Sequence, residues 1–299
     1  MRNLIAVSRK RSFMALKPAR LFFLFCILAM AIPSGCDRLK RRGQDPLENL
    51  RSVRRQSITK NIPADDVEII SIKEARGAIT VHFEPVDEVT VQAVKVLKAP
   101  GKKQADKYIG DFSVHTELKG KILSIYTRYP AGFAEKHDAR TTYEITAPGG
   151  TNIQIESETG AVAVTSGAGN VAVKARSAPV AVSDADGAVS ITSESGTVRL
   201  LHCFHGADVK TKSASIEFRT EVPPGADTSL QSESGQIDVV LPQDSDVSLQ
   251  VSAPNQAEAI AGFLDKAQGG GLVLGAGSFA LRAKSKSGSV YVIPFRDMK

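Results

Sequence analysis

The sequence predicts an all-β protein: a right-handed β-solenoid built from strand–turn units of about nine residues, with an irregular β cap at its N-terminal side. Three observations lead there. Short segments alternate apolar and polar residues with period two. A Ser-x-x-Gly turn recurs through the second half of the chain. Trp is absent and aromatic residues make up only 6%, so the core falls to Val, Ile, Leu and Ala. A two-sheet β-sandwich is the alternative.

The N-terminus reads as an address. Residues 21–32 (LFFLFCILAMAI) form an apolar run after the basic Lys17 and Arg20. The run is short for a membrane span, which needs about 20 residues, and has the length of a signal-peptide core, so 1–35 is read as a signal peptide. Pro33-Ser34-Gly35-Cys36 follows it and resembles the lipobox of bacterial lipoproteins, with Pro33 where Leu, Val or Ile is usual and Ile32 one residue early. That resemblance implies that Cys36 becomes the acylated N-terminus of the mature chain. An ordinary cleaved signal and an uncleaved anchor are the alternatives. Cys26, inside the run, reads as a small hydrophobe. Ser8 to Met14 is a loose version of a twin-arginine signal that lacks the paired arginines, and Met14 competes with Met1 as the start. Asp37 resembles an inner-membrane retention signal of enteric bacteria.

Residues 36–63 are expected to be a lipidated Cys and a basic disordered tether, carrying Arg38, Lys40, Arg41, Arg42, Arg51, Arg54 and Arg55. Such a cluster is attracted to an anionic membrane, although a simple spacer has the same composition. Charge is divided accordingly. Residues 1–60 hold fourteen Lys and Arg against Asp37, Asp45 and Glu48, whereas the remainder holds 24 basic and 29 acidic residues. A mildly acidic body argues against nucleic-acid binding. Cys203 is the one thiol beyond residue 36, so no disulfide forms within the folded part.

Strands are expected at 67–72, 78–83, 89–94 and 121–126, within an irregular β part spanning 64–147. Lys98–Lys107 interrupts them as an exposed loop, and Pro148-Gly149-Gly150 marks a boundary. The repeats then occupy 148–295, followed by a short tail, 296–299. Ser157-Glu158-Thr159-Gly160 matches Ser193-Glu194-Ser195-Gly196 and Ser232-Glu233-Ser234-Gly235, with starts 36 and 39 residues apart, and Ser285-Lys286-Ser287-Gly288 is a last copy. Weaker copies turn at Gly169, at Ser177-Ala178 and at Gly187. The repeat-turn glycines are therefore Gly160, Gly169, Gly187, Gly196, Gly235 and Gly288, where positive φ is expected to turn the corner. A strand of four or five residues cannot bury its own apolar face, but stacking the next copy on it makes a continuous core. Residues 253–282, rich in Gly, read as a loop-rich interruption near the far end.

Tyr143–Ile153 (YEITAPGGTNI), leading into the Ser-x-Ser-Gly-x-Val units, resembles a widespread family of adhesin-like bacterial envelope domains of unknown function. It is similar also to the auto-transporter adhesin head domain. The resemblance covers about residues 65–295. It implies a β-helical fold and an envelope setting, facing periplasm or exterior, and supplies no catalytic residues.

Chemical motifs are sparse. His202-Cys203-Phe204-His205 is the nearest to a metal site, but on a strand residues three apart face opposite ways, leaving two ligands at most. Glu158, Glu194 and Glu233 share a repeat position, with Asp184 and Asp186 in a similar turn. Stacked, such acids suit Ca²⁺ or acid–base cleavage of a polysaccharide; dispersed, they are solvated corners. Their convergence with Arg199 or Lys174 in a groove would favour the former. No G-x-S-x-G, phosphate-binding Gly-rich loop or H-E-x-x-H occurs. The expectation is thus a non-enzymatic envelope lipoprotein without cofactor, metal or catalytic residues. It would present its β-solenoid to a protein or glycan, or assemble with itself. A polysaccharide-active or calcium-binding β-helix is the alternative.

Overall fold

In the computed structural model the described residues are 51–133, 137–165, 167, 169–254, 267–268 and 271–295. The expected signal peptide, Cys36, the first part of the tether and the tail lie outside them. The described chain is all-β, as the period-two patterning requires. Its first part runs β1 (Arg51–Pro63), β2 (Ile69–Glu74), β3 (Ile79–Phe83), β4 (Glu88–Pro100), helix α1 (Lys102–Tyr108), β5 (Ser113–Lys119), β6 (Ile122–Arg128) and β7 (Asp138–Ala147). Then follow β8 (Asn152–Ser157), β9 (Val162–Thr165), β10 (Val171–Ala175), β11 (Val180–Ser183), β12 (Val189–Ser193) and β13 (Val198–Leu201). The series continues with β14 (Ala207–Thr211), β15 (Ile216–Arg219), β16 (Thr228–Ser232) and β17 (Ile237–Leu241). It closes with β18 (Val247–Ser252), β19 (Ala267–Gln268), β20 (Gly271–Leu274), β21 (Phe279–Ser285) and β22 (Val290–Pro294).

Two sheets share the core. The first has the order β1-β4-β7-β3-β9-β11-β13-β15-β17-β22, the second β19-β20-β18-β21-β16-β14-β12-β10-β8-β2-β6-β5. From β8 to β17 the chain alternates between them, and each strand pairs in parallel with the strand after next. The offset is 18 residues: Val171 pairs with Ile153 and with Val189, and Val180 with Val162 and with Val198. Two expected nine-residue units therefore make one level, a strand in each sheet. The 39-residue spacing reflects one longer offset, since Ile216 pairs with Ile237 and Asp208 with Ser229. Three extra residues are absorbed in the corner that holds Pro223-Pro224-Gly225.

Inward positions are nearly all aliphatic. Ile153, Ile155, Val162 and Val164 of one level lie against Val171, Val173, Val180 and Val182 of the next, all at most 2% exposed. Burying each such side chain is worth roughly 1.5–3 kcal/mol, and the gain is complete only with a level on either side. Backbone groups are satisfied the same way, level to level, at the corners as well as along the strands.

The region 64–147 is more regular than expected. β6 pairs in parallel with β2, and β7 with β3, while β2 and β3 pair on their other sides with β8 and β9. Two further levels therefore precede β8–β9 in the stack, and their order is reversed relative to the chain. Antiparallel strands cover the end beyond them: β4 along β7, β1 along β4 and β5 along β6. Three segments correct the sequence expectation. Arg51–Pro63, assigned to the disordered tether, is a 13-residue strand, because Ile58 and Ile62 find core contacts there. Part of the expected exposed loop 98–107 belongs to β4 and to α1, which is anchored by the buried Ala105. Within 253–282 the chain forms β20 and the start of β21, which pair with β18.

The repeat-turn glycines serve close approach, not positive φ. Positive φ is found at other glycines, such as Gly150 and Gly167, and at Asp184 and His202, but at none of Gly160, Gly169, Gly187, Gly196, Gly235 or Gly288. A Cβ on Gly196 would lie 1.9 Å from the carbonyl oxygen of Ala178 in the preceding level, and one on Gly160 1.7 Å from that of Gly77. Gly196→Ala is therefore expected to lower stability by about 1–3 kcal/mol through overpacking. Gly110→Ala, where the nearest atom is 4.0 Å away, should be neutral or slightly stabilising. Urea unfolding of the two variants checks this, and equal midpoints would contradict it.

Candidate functional site

The corner that follows each strand of the second sheet repeats one chemical layout. Its first residue points inward and, except at Ala175 and at Ser193, whose Oγ has no hydrogen-bond partner, ties the turn: Ser157 Oγ donates to Gly160 O (2.8 Å) and Thr211 Oγ1 to Ala214 O (3.0 Å). Ser232 and Ser285 Oγ accept the amide N–H of Gly235 (2.8 Å) and Gly288 (2.9 Å). The third residue donates to the neighbouring level, as from Ser177 Oγ to Glu158 O (3.1 Å) and from Ser213 Oγ to Glu194 O (3.2 Å). In the copies that begin at Ser232 and Ser285 both serines are thus structural, one closing the turn and the other joining levels.

The second position is exposed, and there the charges alternate: Glu158, Arg176, Glu194, Lys212, Glu233, Lys286 in stacking order. The three repeated acids are never neighbours. Glu194 lies between Lys212 (2.9 Å) and Arg176 (3.8 Å), and Glu233 meets Lys286 at 3.0 Å. Hydrogen bonding to Lys212, with the charge of that lysine, holds the Glu194 carboxyl below its ordinary range. Like-charge repulsion along the corner is removed by the intervening levels. Asp184 and Asp186 lie on the opposite corner, after β11, where Asp184 Oδ1 is 3.1 Å from His202 Nδ1. Arg199 is elsewhere again, paired with Glu217 (2.6 Å) on the outer face of the first sheet.

Beside the charged corner runs a groove of about 830 Å³ along the ends of β6, β2, β8, β10 and β12. Tyr126, Arg128 and Tyr129 stand at one end, and Lys73, Glu156, Glu158, Lys174, Arg176 and Glu194 continue the wall. Glu158, Glu194 and Lys174, singled out from the sequence, do converge here; Asp184 and Arg199 do not. Glu156 is held ionised, its carboxyl lowered first by the hydrogen bond from Lys73 (3.0 Å). The tyrosines, Lys73, Arg128 and Glu156 were not foreseen, because the levels that carry some of them are joined out of chain order.

Glu74 lies at the floor of this groove and is 2% exposed. Its Oε1 accepts the hydroxyl of Tyr129 (2.8 Å) and the backbone N–H of Arg76 (3.1 Å), while Oε2 is buried without a hydrogen-bond partner. Burial pushes the carboxyl upward, and the neighbouring Thr127 and Tyr129 hydroxyls and the backbone at 75–76 offset part of that. Burial, with the nearby Glu74 charge, also raises Tyr129 and Tyr143. The signal for Glu74 was in the sequence: it stands in phase with the inward Ile70 and Ile72 of the same strand.

His202-Cys203-Phe204-His205 follows β13 and forms the corner itself, not a strand. Cys203 is buried, with its thiol pushed up to about 12 by desolvation. His205 lines a smaller depression with Asp208, Asp227 and Arg282. Among the described residues no three His, Cys, Asp or Glu side chains are placed to hold a metal ion, and no described helix is long and apolar enough to cross a membrane.

Comparison with known proteins adds little. No family model and no curated protein matches the chain. Among solved structures, a candidate adhesin from Bacteroides fragilis is similar at 14% identity and a TM-score of 0.44, covering 80% of this chain and 97% of its own. A candidate cell-adhesion protein from Clostridium sporogenes is similar at 10% identity and a TM-score of 0.34, covering 81% and 100%. A third, named as a candidate lipid-binding protein, comes from Parabacteroides distasonis, at 10% identity and a TM-score of 0.30 over 80% and 97%. Likenesses this distant carry no argument about fold or function.

The raised carboxyl of Glu74 gives a signed expectation. The folded state binds this proton more tightly than the unfolded state, so stability falls as pH rises from the ordinary carboxylate value through the raised one. Glu74→Gln keeps an acceptor for Tyr129 and removes the titration. Against the wild type it should gain stability near neutral pH and lose that advantage at about pH 4 and below. Urea midpoints across that range test this; a parallel pair of profiles would contradict it.

Proposed function

We propose that this chain is a non-enzymatic, adhesin-like lipoprotein of the bacterial cell envelope, anchored through Cys36, whose β-solenoid binds an extended polar chain along the groove of Tyr126 and Tyr129. The solenoid reading rests on the parallel offset of 18 residues repeated from β8 to β15, which closes one turn of chain per level; right-handed winding is the ordinary hand of parallel crossovers. The groove carries the functional reading. It crosses five strands, about 19 Å at the usual strand spacing, and combines tyrosine rings with alternating acids and bases. An aromatic end and a ladder of hydrogen-bonding groups suit a glycan strand better than a compact metabolite. The envelope setting rests on the leader and on Ser-Gly-Cys36.

The convergence of Glu158, Glu194 and Lys174 favours the alternative, a polysaccharide-active β-helix, only in part. Cleavage needs an accessible acid with a raised pKa beside a base. Glu194 and Glu156 are ion-paired and lowered, and the raised acid, Glu74, has no solvent-accessible oxygen at Oε2. Binding without turnover is the reading that follows.

Titration calorimetry with soluble fragments of cell-wall glycan tests it, alongside chromatography of the recovered glycan. The expected result is saturable binding weakened up to about tenfold by Tyr126→Ala, from the loss of an aromatic contact, with the glycan recovered intact. Shortened products abolished by Glu158→Gln or Glu194→Gln would replace this reading with the enzymatic one. Fatty-acid labelling of cells, lost in Cys36→Ala, tests the anchor separately.

A further inference from the structure

The folded body has an electrical polarity that neither the groove nor the coils require. Residues 51–60 and 98–107 together carry eight Lys and Arg and one acid, Asp106. The rest of the chain after residue 60 carries twenty Lys and Arg against twenty-eight acids. These two basic segments come together in space. Arg51 of β1 is paired with Pro100 of β4, and α1 begins two residues later, so β1 starts at the tip that bears α1. Arg55 of β1 and Lys102, Lys103 and Lys107 of α1 are all exposed.

Two ion pairs fall within this tip, Arg54 with Asp106 (3.0 Å) and Lys98 with Asp138 (3.0 Å). They leave the tip positive, because no ion pair is found for Arg55, Lys102, Lys103 or Lys107 among the described residues. Val53, 49% exposed, stands on the same strand between the basic residues. Upstream the sequence continues the pattern with Arg38, Lys40, Arg41 and Arg42.

We propose that this tip, β1 with the end of β4 and α1, rests on an anionic membrane surface and stands the coils away from it. This rests on the envelope reading above for its setting. A basic surface attracts anionic headgroups by roughly fivefold in partitioning per Lys or Arg close to the membrane, and the attraction dies within a Debye length, about 8 Å at physiological salt. Only charges held next to the anchor point gain from it. From Cys36 to Arg51 the chain spans at most about 50 Å, and the tip, where β1 begins, is the part of the described fold nearest Cys36 along the chain. The acidic body is repelled by the same headgroups, so attraction at the tip and repulsion elsewhere set one orientation.

The test is sedimentation with vesicles of phosphatidylcholine alone and of phosphatidylcholine mixed with phosphatidylglycerol. It uses a chain beginning at residue 36 with Cys36→Ser, which retains the whole compact unit Pro46–Lys299 and carries no acyl group, so the outcome is independent of lipidation. The expected result is binding to the anionic vesicles only, reversed by high salt. Lys102→Gln/Lys103→Gln/Lys107→Gln should weaken it on the order of 100-fold, with an unchanged circular dichroism spectrum. Lys210→Gln/Lys212→Gln/Lys284→Gln, an equal loss of charge on the levels, should leave it unchanged. Equal binding to both vesicle types, equal loss in the two triple variants, or no loss in the first would each overturn the proposal. If acylation at Cys36 fails but this partitioning holds, the tip is the membrane contact and only the anchor falls.

Discussion

Backbone hydrogen bonding between strands 18 residues apart is the constraint on which the rest of the structure depends. Once each strand must pair in parallel and in register with its counterpart in the next level, every position in a level is stacked on its equivalent. Inward columns then have to be apolar, and most of their residues are aliphatic, with Phe218 the exception in its column. The column at the tight corner holds only small residues, Ala178 and Ala214 with Gly160, Gly196, Gly235 and Gly288, because at those glycines the carbonyl of the level before occupies the space of a Cβ. The exposed column beside it accepts charge only if the sign alternates, and it does, from Glu158 through Lys286. Hydroxyls in the flanking columns donate to the neighbouring level and fasten the corner where no strand ladder exists.

A stack of this kind has two ends, each a row of unpaired backbone groups inviting further strands. At the start, antiparallel β4 and β5 close the two sheets and reverse the direction of pairing. At the other end, β22 carries Pro294, which has no N–H to offer a further strand, and β18 with β20 covers the second sheet. The first cap has a small core of its own, Leu97, Phe112, Phe133 and Ala139. Lys95 is buried beside it, with its ammonium 3.0 Å from Gln56 Oε1 and 4.6 Å from the centre of the Phe112 ring, and burial lowers its pKa. Ionisable groups buried at this end, Lys95 and Glu74, contrast with the levels from β8 onward, whose core is mostly aliphatic. Specialised chemistry is concentrated where the repeat is broken.

The repeats were legible because the stacking constraint is written at fixed spacing: Ser157, Ser193, Ser232 and Ser285 open the same turn. The reason for their glycines was not legible, since close approach to Ala178 or Gly77 depends on the preceding level and leaves no mark on the local pattern. The reversed order of the β6–β7 and β2–β3 levels was hidden for the same reason, and with it the meeting of Tyr126 with Lys73 and Glu156 in one groove. Arg51–Pro63 looked like tether because basic and polar residues outnumber Ile58 and Ile62, which are enough to hold it against β4. Glu74 was visible in principle, as a charge in phase with Ile70 and Ile72, and Lys95 likewise in phase with Val91 and Ala93.

Deleting whole levels tests the 18-residue register most directly. Removal of residues 171–206 takes out two complete levels, joins the Asn170 corner to Ala207 in the same phase, and sets Glu158 beside Lys212, so the sign alternation is kept. The account predicts a chain that still unfolds cooperatively in urea, with a lower midpoint. Removal of residues 171–197, one and a half levels, would deliver a strand of the first sheet to a position in the second and should abolish cooperative unfolding. Loss of folding in the first deletion, or equal tolerance of both, would contradict the stacked register on which the fold and the groove depend.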